Sequence, residues 1–244
     1  MSKTKIEWVK NADGSQGYTI NPVKGLCPMA CSYCYARRMY KRFNWNPDIR
    51  MEPDWMEELP KKPSRIFVGS TMELFGDWVE EWMWDSISEY VKDYPQHTFI
   101  FLTKQPQNLQ RWAFPKNCWV GISATDERMY ACSMVHLIGV QATVKFVSFE
   151  PLLSHIDKML LQNTLPALDW MICGQQTPVN QETKPEVEWL ENIVNSADKL
   201  NLPIFLKNNL DTLLPKYWDD GVNFRNSDGT LRQEFPLPDK QKER

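Results

Sequence analysis

At 244 residues, 42% of them apolar, the chain is long enough for one large α/β domain, and no apolar run reaches the ~18 residues that crossing a membrane requires. A net charge of −3 excludes a protein held to nucleic acid mainly by general charge neutralisation, while leaving room for a local basic patch. The opening Met-Ser-Lys-Thr-Lys carries no apolar signal stretch, so the expected location is a reducing cytoplasm, where its six cysteines would stay reduced.

Short apolar, β-branched or aromatic runs alternate with helical patterns, the mark of βα units and a mostly parallel sheet. The first strand is predicted at Tyr18–Val23, running into a cysteine-rich loop, and a helix follows over Tyr35–Phe43. A second strand reads Arg65–Ser70, with an amphipathic helix from Asp77 to Asp93 behind it. The third strand, Thr98–Thr103, is too apolar to face water on either side, as a buried parallel strand should be. Strands four to six are predicted at Cys118–Ser123, Thr143–Ser148 and Asp169–Cys173, with helices at Asp126–Ile138 and Pro185–Leu200. A last strand-like run is Pro203–Lys207, and the chain ends in a polar, charged stretch. Most of the eleven tryptophans are expected to pack between helices and strands.

The loop after the first strand reads Cys27-Pro-Met-Ala-Cys31-Ser-Tyr-Cys34, three cysteines within eight residues. Three thiolates on one tight loop can hold three irons of a [4Fe–4S] cube and leave the fourth iron without a protein ligand. A zinc site would want a fourth protein ligand, often from a second cysteine pair. The remaining cysteines (Cys118, Cys132, Cys173) are single, and His97, His136 and His155 lie far downstream. A disulfide does not suit a reducing compartment, and an electron-transfer ferredoxin would need a fourth regular cysteine.

This spacing, with an aromatic residue just before the third cysteine, resembles the signature of radical S-adenosylmethionine (SAM) enzymes. More closely, the chain is similar to a phage- and prophage-associated radical-SAM-like family of unassigned chemistry, often encoded beside a three-cysteine-motif protein. The matching segments run in order through the chain: Thr4–Trp8, Ile66–Ser70 with Leu74–Gly76, Gln96–Lys104, Trp119–Ser123, Lys145–Leu153, Asp169–Ile172, Pro203–Lys207, and Asp228-Gly-Thr with Glu234–Pro236. A more distant similarity is to spore photoproduct lyase, a radical-SAM DNA-repair enzyme. One departure stands out: relatives carry a Gly-Gly-Glu-Ser-Gly-like turn after the sixth strand, whereas this chain has Gly174-Gln-Gln-Thr-Pro178 and so lacks that carboxylate. The resemblance implies a partial (β/α)6 TIM-like barrel over residues 1–210, with 211–244 as an extension packing on it. It also implies two cofactors, a [4Fe–4S] cluster on Cys27, Cys31 and Cys34 and SAM on its open iron.

In such a barrel, side chains at the carboxyl ends of strands point into the reaction chamber. Gly69, Ser70 and Thr71 end strand two, where the superfamily uses a small polar turn to bind the SAM amino group; an ordinary capped turn is the plainer reading. Tyr33 would lie over the adenine, or simply pack the loop. Lys104 ends strand three and either pairs with a carboxylate of SAM or substrate, or snorkels to solvent. Ser123 and Thr125 suit the ribose or carboxylate of SAM, with Asp126 beside them as a helix cap. Glu150 stands in an apolar stretch, as a ligand for an amine or ribose hydroxyl, as a proton carrier, or as half of an ion pair with Lys145 or Lys104. Cys173 would be a hydrogen-atom donor or a buried packing residue, and Lys207 a chamber or surface residue. Arg37, Arg38, Lys41 and Arg42, interleaved with Tyr40 and Phe43, form either a solvated helix face or a phosphate-binding and stacking edge.

The expected function is therefore a radical SAM enzyme that reductively cleaves SAM and uses the 5′-deoxyadenosyl radical to abstract hydrogen, with a nucleobase or modified nucleotide in DNA as the first candidate substrate. Lys104, Glu150 and Cys173 are its candidate catalytic residues. An electron donor of flavodoxin or ferredoxin type, and a three-cysteine-motif protein, are the implied partners. The competing expectation is a non-catalytic iron–sulfur or zinc module that recognises a protein partner.

Overall fold

Buried apolar strands set the architecture. The computed structural model describes residues 1–56, 59–214 and 222–236. Among the described residues there are ten strands: β1 (Ser2–Lys3), β2 (Tyr18–Ile20), β3 (Val23–Lys24), β4 (Arg50–Met51), β5 (Arg65–Val68), β6 (Thr98–Thr103), β7 (Cys118–Ser123), β8 (Val144–Phe149), β9 (Trp170–Cys173) and β10 (Ile204–Leu206). The helices are α1 (Tyr35–Phe43), α2 (Glu81–Asp93), α3 (Glu127–Leu137), α4 (Lys158–Thr164) and α5 (Val187–Lys199). Every residue of β5, β7 and β9 is buried, which only a sheet covered on both faces allows. Eight strands form one mostly parallel sheet in the order β1-β2-β5-β6-β7-β8-β9-β10, the α/β architecture expected of a partial TIM-like barrel. No helix among the described residues is long and apolar enough to cross a membrane.

The chain divides into two compact units, Met1–Gly121 with Gly139–Ala142, and Ile122–Ile138 with Thr143–Arg244, the division falling within β7. In the first unit β2, β5 and β6 run parallel, with Tyr18 opposite Ile66 and Ile66 opposite Phe99. Helix α2 buries Met83, Trp84, Ile87, Tyr90 and Val91, a stripe at helical spacing. Trp84 packs on Phe101 (ring centroids 5.4 Å apart) and Tyr90 on Phe99 (6.4 Å), so this face of β6 is the helix-covered one. Ile100, Leu102 and then Lys104 alternate to the other side.

Two expectations are corrected in this unit. The first strand stops at Ile20, because Asn21 turns the chain ahead of Pro22, which has no N–H for a ladder. Val23–Lys24 pairs instead with Arg50–Met51 in a separate two-stranded antiparallel sheet. Helix α2 begins at Glu81, about a turn later than Asp77. Asp77 is engaged elsewhere, accepting hydrogen bonds from Asn108 Nδ2 (3.1 Å) and Arg111 Nη1 (3.1 Å).

In the second unit β8, β9 and β10 are parallel, with Phe149 opposite Cys173 and Cys173 opposite Leu206. Tyr130 of α3 packs edge-on against Phe149 at 5.1 Å, which marks that face as the helix-covered one. The opposite face carries Phe146, Trp170 and Phe205, whose rings also meet one another. Asp126 caps α3 by accepting from Met129 N (2.8 Å), and Asp157 caps α4, a helix the sequence pattern did not suggest, by accepting from Leu160 N (2.9 Å). Of the expected extension 211–244, residues 215–221 and 237–244 lie outside the described residues. Within 222–236, Trp170 Nε1 donates to Glu234 O (2.8 Å), Phe235 packs on Phe205 and Trp170, and Arg232 bridges Asp198 and Glu234 at 2.7 Å each.

Candidate functional site

The cysteine loop joins β3 to α1 in the first unit. Its turns are local: Ala30 takes a left-handed conformation (φ 50°), Ala30 N donates to Cys27 O (3.4 Å) and Cys34 N to Cys31 O (3.1 Å). Helix α1 then locks it. Cys34 is the helix N-cap and accepts from Arg37 N at 3.5 Å, while Arg37 Nη2 reaches back to Cys27 O at 2.7 Å. At the loop's entrance Gly25 (φ 139°) donates its N–H to the Tyr40 hydroxyl (2.8 Å), and a Cβ there would lie 2.7 Å from Ile49 Cα, so only glycine fits.

Cys27, Cys31 and Cys34 are free and half-buried. Burial raises the Cys27 thiol above its ordinary value, with backbone hydrogen bonds at Glu73 and Met29 acting the other way. Among the described residues no three His, Cys, Asp or Glu side chains converge as a metal-holding group. The donor set itself suits an iron–sulfur cluster: three soft thiols, none in a disulfide, on one short, braced loop.

Two polar clusters of the same unit follow the ends of β5 and β6. Asn21 Oδ1 accepts from Ser70 Oγ, Thr71 N and Thr71 Oγ1, each at 3.1 Å, and Tyr35 OH donates to Ser70 O (2.7 Å). Gly69 (φ 80°) makes the tight turn that exposes this pair of hydroxyls to Asn21. Glu73 is buried; its Oε1 accepts from Phe75 N (3.0 Å) and Thr103 Oγ1 (2.7 Å), and its Oε2 from Lys104 N (2.6 Å). Lys104 Nζ lies 5.9 Å from the centre of the Tyr33 ring, and Gln105 Nε2 donates to Met29 Sδ (2.9 Å). The end of β6 therefore abuts the cysteine loop, bringing Lys104 and Tyr33 together as a cation over an aromatic face.

In the second unit Glu150, just past β8, forms an ion pair with Lys207, just past β10. Gly174 lets the pair close: a Cβ there would stand 2.9 Å from Lys207 Cδ and 3.4 Å from Glu150 Cγ. Beside it, Asn209 Nδ2 donates to Gln175 O (2.7 Å) and Thr177 Oγ1 (3.1 Å), fastening the turn that departs from the relatives' pattern. Gln175 Oε1 and Ser148 Oγ are buried with no hydrogen-bond partner among the described residues.

The remaining expected site residues divide. Ser123 is buried at the end of β7. The Thr125 hydroxyl donates to Asp126 Oδ2 (3.3 Å) and so belongs to the start of α3. Cys173 shares its face with Phe149 and Leu206, is wholly buried, and burial drives its thiol far above the ordinary range. Of its two readings, packing is the one this placement fits, because alternation along β8 sends Glu150 to the opposite face. Glu150 pairs with Lys207 rather than with Lys145, whose Nζ donates to Ile138 O (3.0 Å).

Sequence reasoning passed over Asn21, Glu73 and Asn209. Glu73 carried the same signal that singled out Glu150, a carboxylate inside an apolar run (Met72-Glu-Leu-Phe75). Asn21 carried only its place before a proline at a strand end.

No curated protein matches the sequence. Among solved structures, the chain is similar to a spore photoproduct lyase variant with bound AdoMet and a dinucleoside spore photoproduct, at TM-score 0.52 and 10% identity, over 83% of this chain and 80% of that one. At that identity the likeness speaks for the fold alone. The family described as protein of unknown function (DUF5131) matches residues 3–236, and the chain belongs to that family.

Proposed function

We propose that this chain is a radical SAM enzyme acting on a nucleobase or nucleotide, with Cys27, Cys31 and Cys34 holding a [4Fe–4S] cluster. The observation that carries this reading is the set of three thiols free of disulfides within eight residues, on a braced loop between β3 and α1. When bound, cluster and SAM supply one-electron cleavage of SAM to methionine and a 5′-deoxyadenosyl radical that takes a hydrogen atom from the substrate. The chain's own residues bind and orient. Ser70 and Thr71, held by Asn21, offer a polar turn for the SAM amino group. Tyr33, backed by the Lys104 ammonium, offers a flat face for the adenine. In the second unit, Glu150 offers a carboxylate to an amine or hydroxyl when Lys207 yields it. The dinucleoside held by the similar lyase supports the choice of a nucleobase substrate by analogy.

The test is anaerobic reconstitution followed by reduction with dithionite in the presence of SAM. The expected result is about four irons per chain, a cluster EPR signal, and release of 5′-deoxyadenosine. Cys31→Ala should lose the open-site cluster and reduce that release to background. Iron or zinc uptake with no cleavage of SAM would instead make the protein a recognition module, and a Cys31→Ala protein that still cleaves SAM defeats the proposal outright.

A further inference from the structure

We propose that the outer edge of α1 and the turn after it form a docking surface for a single-stranded nucleic acid, with bases stacking on Phe43 and Trp45 and phosphates meeting Arg38, Lys41 and Arg42. This deepens the nucleobase reading above and rests on it for the identity of the strand. Helix α1 carries four cations and no acid in nine residues, Tyr-Ala-Arg-Arg-Met-Tyr-Lys-Arg-Phe, and the next carboxylate along the chain is Asp48. Residues Lys41–Asp48 are exposed without interruption. Lys41 and Arg42 pair with no carboxylate among the described residues; the Arg42 guanidinium instead lies 5.2 Å from the centre of the Phe43 ring. On a chain whose net charge is −3, such a concentration of cations is local rather than general.

The aromatic arrangement selects the partner. Phe43 and Trp45 remain 52% and 42% exposed, although rings of that size ordinarily go to a core. They stack on each other at 5.6 Å with an interplanar angle of 23°. The Trp45 ring is set by an edge contact with Tyr40 (5.3 Å, 85°), and Tyr40 is itself buried and anchored through its hydroxyl. The turn is fixed too: Asn44 adopts the left-handed conformation and Trp45 N donates to Tyr40 O at 3.2 Å. The rings are therefore held in a stacked pose before anything binds, which lowers the ordering cost of a partner. Flat, stacked, half-exposed rings with the Arg42 guanidinium over one of them are a platform on which bases of any sequence stack. An acidic peptide would use the cations and leave the ring faces unused. Helix α1 is about 13 Å long, room for about two or three phosphate contacts. Because Cys34 caps this helix and Arg37 bonds Cys27 O, a strand held here runs beside the cysteine loop within the same unit.

The test is fluorescence anisotropy with a labelled oligothymidylate of about twelve nucleotides, on the full chain without SAM or reductant. Three phosphate contacts predict a slope of about −2 for log K against log salt, a loss of about twentyfold between 50 and 200 mM. Replacing Lys41 and Arg42 by alanine should flatten that slope to about −0.7. The Phe43→Ala/Trp45→Ala protein should bind about ten- to a hundredfold more weakly with the slope unchanged. These side chains are exposed, and circular dichroism checks that the fold is kept. No binding, affinity indifferent to loss of both rings, or equal affinity for polyglutamate would overturn the proposal, the last making the face one for an acidic protein. Since the measurement needs neither iron nor SAM, its failure leaves SAM cleavage standing, and failed SAM cleavage leaves this surface standing.

Discussion

Two glutamates follow the carboxyl ends of parallel strands, one in each unit, and the chain holds them in opposite ways. Glu73 is buried, and both its oxygens accept from groups that cannot leave: the N–H of Phe75, the N–H of Lys104 and the hydroxyl of Thr103. Glu150 is a quarter exposed at its side chain and meets a single flexible cation, Lys207. A carboxylate satisfied by main chain is a brace, here tying the turn after β5 to the end of β6. A carboxylate satisfied by one lysine is exchangeable, because an incoming amine or hydroxyl can take the lysine's place. Position at a strand end does not by itself make a glutamate part of a reaction; the identity of its donors decides.

The largest expected effect breaks the brace. Glu73→Ala strands three buried donors and should cost about 3–5 kcal/mol in urea unfolding, against about 1–2 kcal/mol for Glu150→Ala. Equal costs at the two positions would erase the distinction. A smaller effect sharpens it: a double-mutant cycle on Glu150→Ala and Lys207→Ala should give a coupling of about 1–2 kcal/mol, with the double variant close in stability to either single one. Gly174→Ala belongs in the same cycle, since its added methyl meets Lys207 Cδ and should cut that coupling while leaving β9 in place. A coupling near zero would mean that the ion pair is not held in solution.

Legibility in the sequence followed the range of the interaction. The cysteine loop was readable because all three thiols and the helix that braces them lie within seventeen residues, Cys27–Phe43. Strands β5, β6, β7 and β9 were readable because burial on both faces leaves unbroken apolar runs. The pairing of β3 with β4 left no trace, being two residues against two with no periodicity to detect. The bond from Asn21 to Ser70 and Thr71 spans about fifty positions, and nothing local announces it. The direction of Cys173 needed the register of β8, β9 and β10, since one position along a strand reverses the face. Glu73 was missed for a different reason: its signal was present, but a carboxylate five residues past a strand reads as a loop residue until Thr103 and Lys104 are seen to close on it.

The smallest expected effect is a pH dependence that tests the brace without breaking it. Burial raises the Glu73 carboxyl above its ordinary value of 4.5, outweighing the hydrogen bonds from Lys104 N, Thr103 and Phe75 N. The folded chain then keeps this proton to higher pH than the unfolded chain does. Between the ordinary and the raised value the native state binds more protons, so its stability falls as pH rises, by at most about 1.4 kcal/mol per pH unit. Glu73→Gln has no proton to lose, so the margin of the native protein over this variant should shrink as pH climbs past 4.5. Unfolding midpoints of the two proteins across that range give the answer. A margin that widened with pH would mean that the three donors outweigh burial and lower the carboxyl below its ordinary value instead.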